Sequence, residues 1–398
     1  MPEDVPGNGP GSGTGSGDGL PPLVDHHCHG VLRHAPDPGT FAAFLTESDR
    51  PPAAGTTFFD TQAGFAVRRW CPPLLDLPVH CPPDRYLARR RELGPDETRR
   101  RLLRATGIGT YLLDTGLPGD LTGPAETAAD GGGAGFEVVR LETLAERTAA
   151  GVRDAEEFTD ALARAVRDAA RTAVAFKTVA AYRHGLALDP TPPAPGAVHT
   201  AAGSWLAAGA PRLTDPVLLR HLVQLAVATG RPLQLHTGFG DPDLRLDHAD
   251  PALLTDLVRA TADTGTDLVL LHCYPYHRQA AYLASVFPHV YADIGLTLTH
   301  TGPRAAAVLA EFLELAPFGK LLFSTDAYGL PELYVVGSAL FRTALATVLG
   351  DWTASGAWSA EDARRVGAMI AADNARRVYG LPDSCQPTPD SGADGTCG

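Results

Sequence analysis

The sequence predicts an α/β fold, a (β/α)8 TIM barrel with helical and loop insertions. Three observations predict it. Eight short apolar runs recur along the 398 residues, segments of helical periodicity separate them, and histidine, lysine and aspartate fall at the ends of several runs. Short continuous apolar runs suit parallel strands covered by helices. Repeated β/α alternation closes such strands into a barrel whose active site lies at their C-terminal ends.

The expected strands are LVDHH (23–27), TTFFD (56–60), GTYLLD (109–114), VAFKTV (174–179), PLQLH (232–236), LVLLH (268–272), VYADI (290–294) and KLLFST (320–325). Between them, FTDALARAVRDAARTAV places Phe158, Leu162, Val166 and Ala169 on one helical face. In TDPVLLRHLVQLAVATG, Thr214 is the expected cap, Pro216 suits the first turn and Gly230 closes the helix. SAEDARRVGAMIAADNARRVYG opens on Ser359 with acids behind it and ends at Gly380.

A minimal barrel needs about 250 residues. The surplus is assigned to insertions at 61–105, 115–150 and 185–213. The first reads as helical and follows the second expected strand, with the Arg89–Arg91 run on a solvated face. Residues 116–135 read as a surface loop. Segments 1–20 and 383–398 are rich in Gly, Ser, Pro and Asp and are expected to be disordered, leaving one domain over 21–382.

The net charge of −13 argues against nucleic acid or an anionic membrane as partner. No apolar run of about 18 residues, the length needed to span a bilayer, is expected, and the N-terminus lacks the regions of a signal peptide. Cys28, Cys71, Cys81, Cys273, Cys385 and Cys397 form no CxxC pair. A long chain with this pattern is read as a cytoplasmic protein with reduced thiols, acting on a small molecule.

The chemistry lies at the strand ends. His27 and His29 close the first strand; alternation turns both into the barrel mouth and His26 outward. Lys177 lies on the fourth strand, His236 ends the fifth, His272 ends the sixth, and Asp326 follows the eighth. Singly, each has a plain alternative: a chance HxH, a core histidine, a snorkelling lysine, an N-cap aspartate. Jointly they are expected to form a divalent-metal site, since neutral imidazole and carboxylate are transition-metal ligands. Cys28 and Cys273, neighbours of ligands on alternating strands, are expected to point away.

These residues resemble the pattern of the amidohydrolase superfamily: HxH on strand one, Lys on strand four, His on strands five and six, Asp on strand eight. VAFKTVAAYRHGL, PLQLHTGFGDPDL, HCYPYHRQAAYLASVFPHVYADIGL and LLFSTDAYGLPELY are similar to the amidohydrolase domain that FluG- and nodulin-type proteins carry beside a glutamine-synthetase-like domain. The resemblance covers roughly residues 21–382, and here the domain is expected to stand alone.

It implies a metal-dependent hydrolase of an amide or lactone, with zinc, or else manganese or iron, activating water. His27, His29 and Asp326 would hold one ion. A carbamylated Lys177 would bridge to a second, held by His236 and His272. With Lys177 unmodified, one ion held by His27, His29, His236 and Asp326 is the alternative, and His272 polarises the substrate. Asp326 is the expected proton carrier. The rival readings are a metal-dependent decarboxylase on the same barrel and a non-catalytic binding module. Relatives also suggest a homodimer. For substrate binding the candidates are Tyr182 and Arg183 beyond strand four, and Tyr274, Tyr276 and His277 beyond strand six. Arg183 suits a carboxylate; an ion pair with another loop fits it equally. Asp241 and Asp243 are either polar contacts or turn residues.

Overall fold

Eight parallel strands pair in sequential order through one sheet. They are β1 (Leu23–Cys28), β2 (Ile108–Asp114), β3 (Ala134–Arg140), β4 (Ala175–Thr178), β5 (Leu233–His236), β6 (Leu268–Leu271), β7 (Val290–Asp293) and β8 (Leu321–Leu322). The architecture comes from a computed structural model that describes residues 19–382. Nearly all of the two terminal segments expected to be disordered therefore lies outside the described residues. Backbone bonds from His26 N to Phe323 O (3.2 Å) and from Asp326 N to His27 O (3.0 Å) bring β8 back to β1.

Two apolar layers follow from strand alternation. Val24, Leu112, Val138, Ala175, Val269 and Leu271 form the inner one, which the C-terminal helix Asn374–Tyr379 joins through Ala375, Val378 and Tyr379. Leu23, Tyr111, Phe176, Leu233 and Leu270 belong to the outer layer, against helices such as Ala155–Ala169 and Pro216–Val227. Phe158, Leu162 and Val166 are buried as their spacing requires.

Several expectations are corrected. TTFFD is not a strand: Thr57 caps a 3-10 turn over Phe58–Asp60. GTYLLD is therefore part of β2, and the missing strand is AGFEVVR, whose pattern Glu137 and Arg140 interrupt. Residues 116–135 are not simply a loop, since they hold the helix Pro124–Gly131 and open β3. Region 115–150 belongs to the barrel, and 61–105 follows β1. The cap of the helix at 216 is Asp215, not Thr214, because its carboxylate accepts from both Val217 N and Leu218 N. The helix Pro331–Ala354 is long and apolar enough to cross a membrane by length and composition. In the fold, 56% of its most apolar window is buried, and it packs on Pro95–Arg104 and Ala305–Leu313.

The 61–105 insertion is helical, with helices at Gln62–Trp70, Pro83–Leu93 and Pro95–Arg104. Its arginine run is not wholly solvated. Arg90 is buried with its Nε 2.6 Å from Glu332 Oε1, and Tyr86 Oη donates to the same oxygen at 2.7 Å. Glu332 is fully buried near the start of helix Pro331–Ala354, just beyond the loop that carries Asp326. Removing one partner of a buried ion pair strands the other. Glu332→Ala is therefore expected to cost about 3–5 kcal/mol of stability, measured by denaturant unfolding; a cost below about 1 kcal/mol would contradict this role.

Candidate metal centre and active site

Strand β1 departs from simple alternation. Asp25 pairs with Tyr111 and Cys28 with Leu113, so three steps on β1 oppose two on β2. This extra residue is a β-bulge, a device that re-aims side chains. Leu23, Asp25 and Cys28 face the helices, and His27 and His29 face the mouth. His26 does not point outward as expected. It lies inside the barrel, with Nδ1 2.9 Å from Tyr379 Oη and Nε2 3.1 Å from Asp293 Oδ2.

The six residues expected to form a metal site meet at the C-terminal ends of the strands. Asp326 Oδ1 lies 3.0 Å from His27 Nε2 and 3.3 Å from His29 Nε2, and its Oδ2 lies 3.7 Å from His272 Nδ1. One donor atom each from His27, His29 and Asp326 falls within 4.8 Å of the others. The His236 ring sits 4.6 Å from His272, centroid to centroid. Lys177 Nζ lies 2.8 Å from His27 Nε2 and 3.4 Å from Asp114 Oδ2. His29 Nδ1 lies 3.1 Å from the Asp114 carbonyl, which can only accept; this places the proton on Nδ1 and leaves Nε2 free toward Asp326.

Backbone strain accompanies the site. His272 (φ 67°) and Asp326 (φ 50°) are left-handed, at about 1–3 kcal/mol each. Asp293 helps to hold the first: its Oδ1 accepts from His272 N at 2.5 Å, and its Oδ2 accepts from Ser324 Oγ at 2.6 Å. Burial raises the Asp293 pKa, but His26 and His272 outweigh it and bring the carboxyl to about 2. This support is hardly visible in the sequence. Its only signal is an aspartate closing the apolar run VYADI.

The charges suit metal binding. Burial, then Lys177, lowers His27 to about 3, and burial likewise holds His236 and His272 down. These imidazoles are neutral, as a ligand must be. Asp326 is buried, which opposes ionisation, yet His272, His27 and His29 keep its carboxyl well below the usual range. Asp114 behaves similarly through Arg140, whose Nη2 is 2.5 Å from Oδ2, and Lys177. Cys28 and Cys273 point away, donating to Leu112 O and Leu270 O, and burial pushes both thiols up.

A cavity of about 440 Å³ opens over these groups. Tyr182 and Arg183 line it as expected. Tyr274, Tyr276 and His277 do not. The His277 ring stacks on Tyr274, and its Nε2 meets Glu311 Oε2 at 2.6 Å, because the chain after β6 turns into the helix His277–Val286. Trp205 also lies off the cavity, packed on Phe158. Residues the sequence did not single out complete the wall: Glu47 after β1, Arg140 on β3, Arg212 in the 185–213 insertion, and His300. Asp241 lines it too, and burial, with Glu47 nearby, raises its carboxyl to about 6.

The donor set fits a divalent ion. His236 Nε2, both ring nitrogens of His272, and Asp326 Oδ1 are buried without a hydrogen-bond partner. Buried polar atoms are rarely left so; a cation would take the lone pairs of His236 Nε2 and Asp326 Oδ1, while one nitrogen of neutral His272 carries its proton and offers a donor.

The amidohydrolase family model matches residues 141–381. FluG from Emericella nidulans is 37% identical over 223 residues, which are 52% of this chain and 26% of that protein. The chain thus spans about a quarter of the length of this curated relative. A candidate metal-dependent hydrolase from Lactobacillus casei superposes with a TM-score of 0.80 at 29% identity, over 91% of this chain and 96% of that one. An uronate isomerase from Bacillus halodurans (TM-score 0.61, 14% identity, 92% and 95% covered) shares the fold. From the barrel, the convergent histidines and these matches, the chain belongs to the amidohydrolase family and is an enzyme of that superfamily.

Proposed function

We propose that this protein is a metal-dependent hydrolase that cleaves a C–N amide or a lactone in a small polar substrate. One observation carries the reading: donor atoms of His27, His29 and Asp326, from opposite ends of the chain, lie within 4.8 Å of one another at the mouth of the barrel. These three would hold a divalent ion, zinc first among the candidates, with His236 beside them. Such an ion lowers the pKa of water toward about 7 and polarises a carbonyl.

The chain's own groups handle the proton. Asp326, kept ionised, accepts it from the attacking water as the water oxygen bonds to the carbonyl carbon. It returns the proton to the departing nitrogen or oxygen as the scissile bond breaks. His272, neutral and 3.7 Å from Asp326 Oδ2, faces the same space and is placed to polarise the substrate.

The pairing of Lys177 with Asp114 favours one ion over two. Asp114 already supplies a carboxylate there, and bridging by a carbamate would require Lys177 Nζ to leave it. The net charge of −13 and the buried free thiols of Cys28, Cys71, Cys81 and Cys273 support a cytoplasmic enzyme of small molecules. Reaction of amide and lactone panels in 18O-water tests the proposal. One labelled oxygen in the carboxylate product is expected. Carbon dioxide release without label would instead identify a decarboxylase and overturn it.

A further inference from the structure

Resting on the hydrolase reading of the same cavity, we propose that Arg183 and Arg212 form a clamp for a carboxylate, so that the substrates are small monoanionic carboxylic acids. Arg183 closes the short helix Ala180–Arg183 after β4, and Arg212 ends the insertion that crosses the cavity wall. The Arg183 side chain is only 10% exposed. Its Nε and Nη1 are buried without a hydrogen-bond partner. Its one ion pair among the described residues is a long one, 3.5 Å from Nη1 to Glu146 Oε1, and that oxygen also accepts from Leu213 N at 2.9 Å. Burial, and then the Arg212 guanidinium, push the Arg183 pKa down, so the two cations share a neighbourhood. Arg212 is tethered to Asp243 and half exposed.

A buried guanidinium with unmet donors beside a second guanidinium is an arrangement that an anion completes. The planar fork matches the two oxygens of a carboxylate. Charge on the remaining wall selects a monoanion. Glu47, Asp49 and Asp241 also line the cavity, and their charge disfavours a phosphate dianion. Arg140 also lines the cavity, but Asp114 already neutralises it. The proposed substrate places its carboxylate at Arg183 and its scissile bond over His27, His29 and Asp326.

Calorimetric titration of hippurate, succinamate and N-acetylglutamine, all monoanions, into the zinc-supplied full chain tests this. Saturable binding is expected for at least one. Arg212→Ala, at an exposed position that tolerates change, and Arg183→Lys, which keeps the charge but loses the fork, should each weaken it by about tenfold or more. The neutral amide of the bound probe and inorganic phosphate should not compete. The proposal falls if none of the three binds, if both variants bind as the parent does, or if phosphate displaces the probe at equal concentration. The two readings fail separately. Carboxylate binding that depends on Arg183 without hydrolysis of any panel compound supports the clamp and removes only the hydrolase. Labelled turnover with unaltered binding in both variants removes only the clamp.

Discussion

Asparagine in place of Asp326 is expected to lower turnover by about 10²–10⁴-fold with the fold retained, the usual range for loss of a positioned proton acceptor. Asparagine keeps the shape and one oxygen, so the contacts of 3.0 Å to His27 and 3.3 Å to His29 are partly preserved. It cannot take a proton from water and return it. The strained backbone at φ 50° also tolerates asparagine better than most residues. The comparison is between parent and variant at equal metal content, verified by elemental analysis. A variant within about threefold of the parent kcat would remove Asp326 from proton transfer, whatever its role as a ligand.

His27→Ala is expected to weaken metal binding by at least about 100-fold, beyond the loss typical of a residue that only supports a ligand. It should also erase the stabilisation that metal confers. An ion that binds only the folded chain stabilises it by about 4.1 kcal/mol at a thousandfold excess over Kd. Here the proposed ligands come from three strand ends, those of β1, β5 and β8, between residues 27 and 326, so the unfolded chain has no comparable site. Chelation should lower the parent Tm and leave His27→Ala unmoved. Equal parent melting curves with and without chelator would refute a bound ion at this position. The same samples give the stoichiometry. About one ion per chain supports the ion pair between Lys177 and Asp114; about two, with extra mass on Lys177, supports the carbamate.

Much of this was legible in the sequence because barrel strands and their terminal residues are local signals. LVDHH, PLQLH and LVLLH each carry an apolar run and its functional end residue within a few positions, and each forms a strand, as does VYADI, whose Asp293 was not legible as a site residue. β3 was not legible. Glu137 and Arg140 break its apolar pattern, because Arg140 is carried to Asp114 at the site while Glu137 accepts a bond from Thr115 Oγ1. TTFFD misled for the opposite reason, since aromatic and threonine residues favour strands until a threonine side chain caps a turn instead. The direction of His26 depends on a register shift against β2, and no pattern within β1 records it. Arg212 and Glu47 reach the cavity through tertiary folding of loops, which periodicity does not encode.

The surplus residue in β1 has an evolutionary consequence. A deletion or insertion between Asp25 and Cys28 would exchange the imidazoles serving the solvent-facing chamber with those anchoring the final helix, disabling both together. Length drift in this lineage should therefore be frozen across that tetrapeptide, while the stretches bearing Glu47 and Arg212 stay free to diversify and retune what the chamber admits.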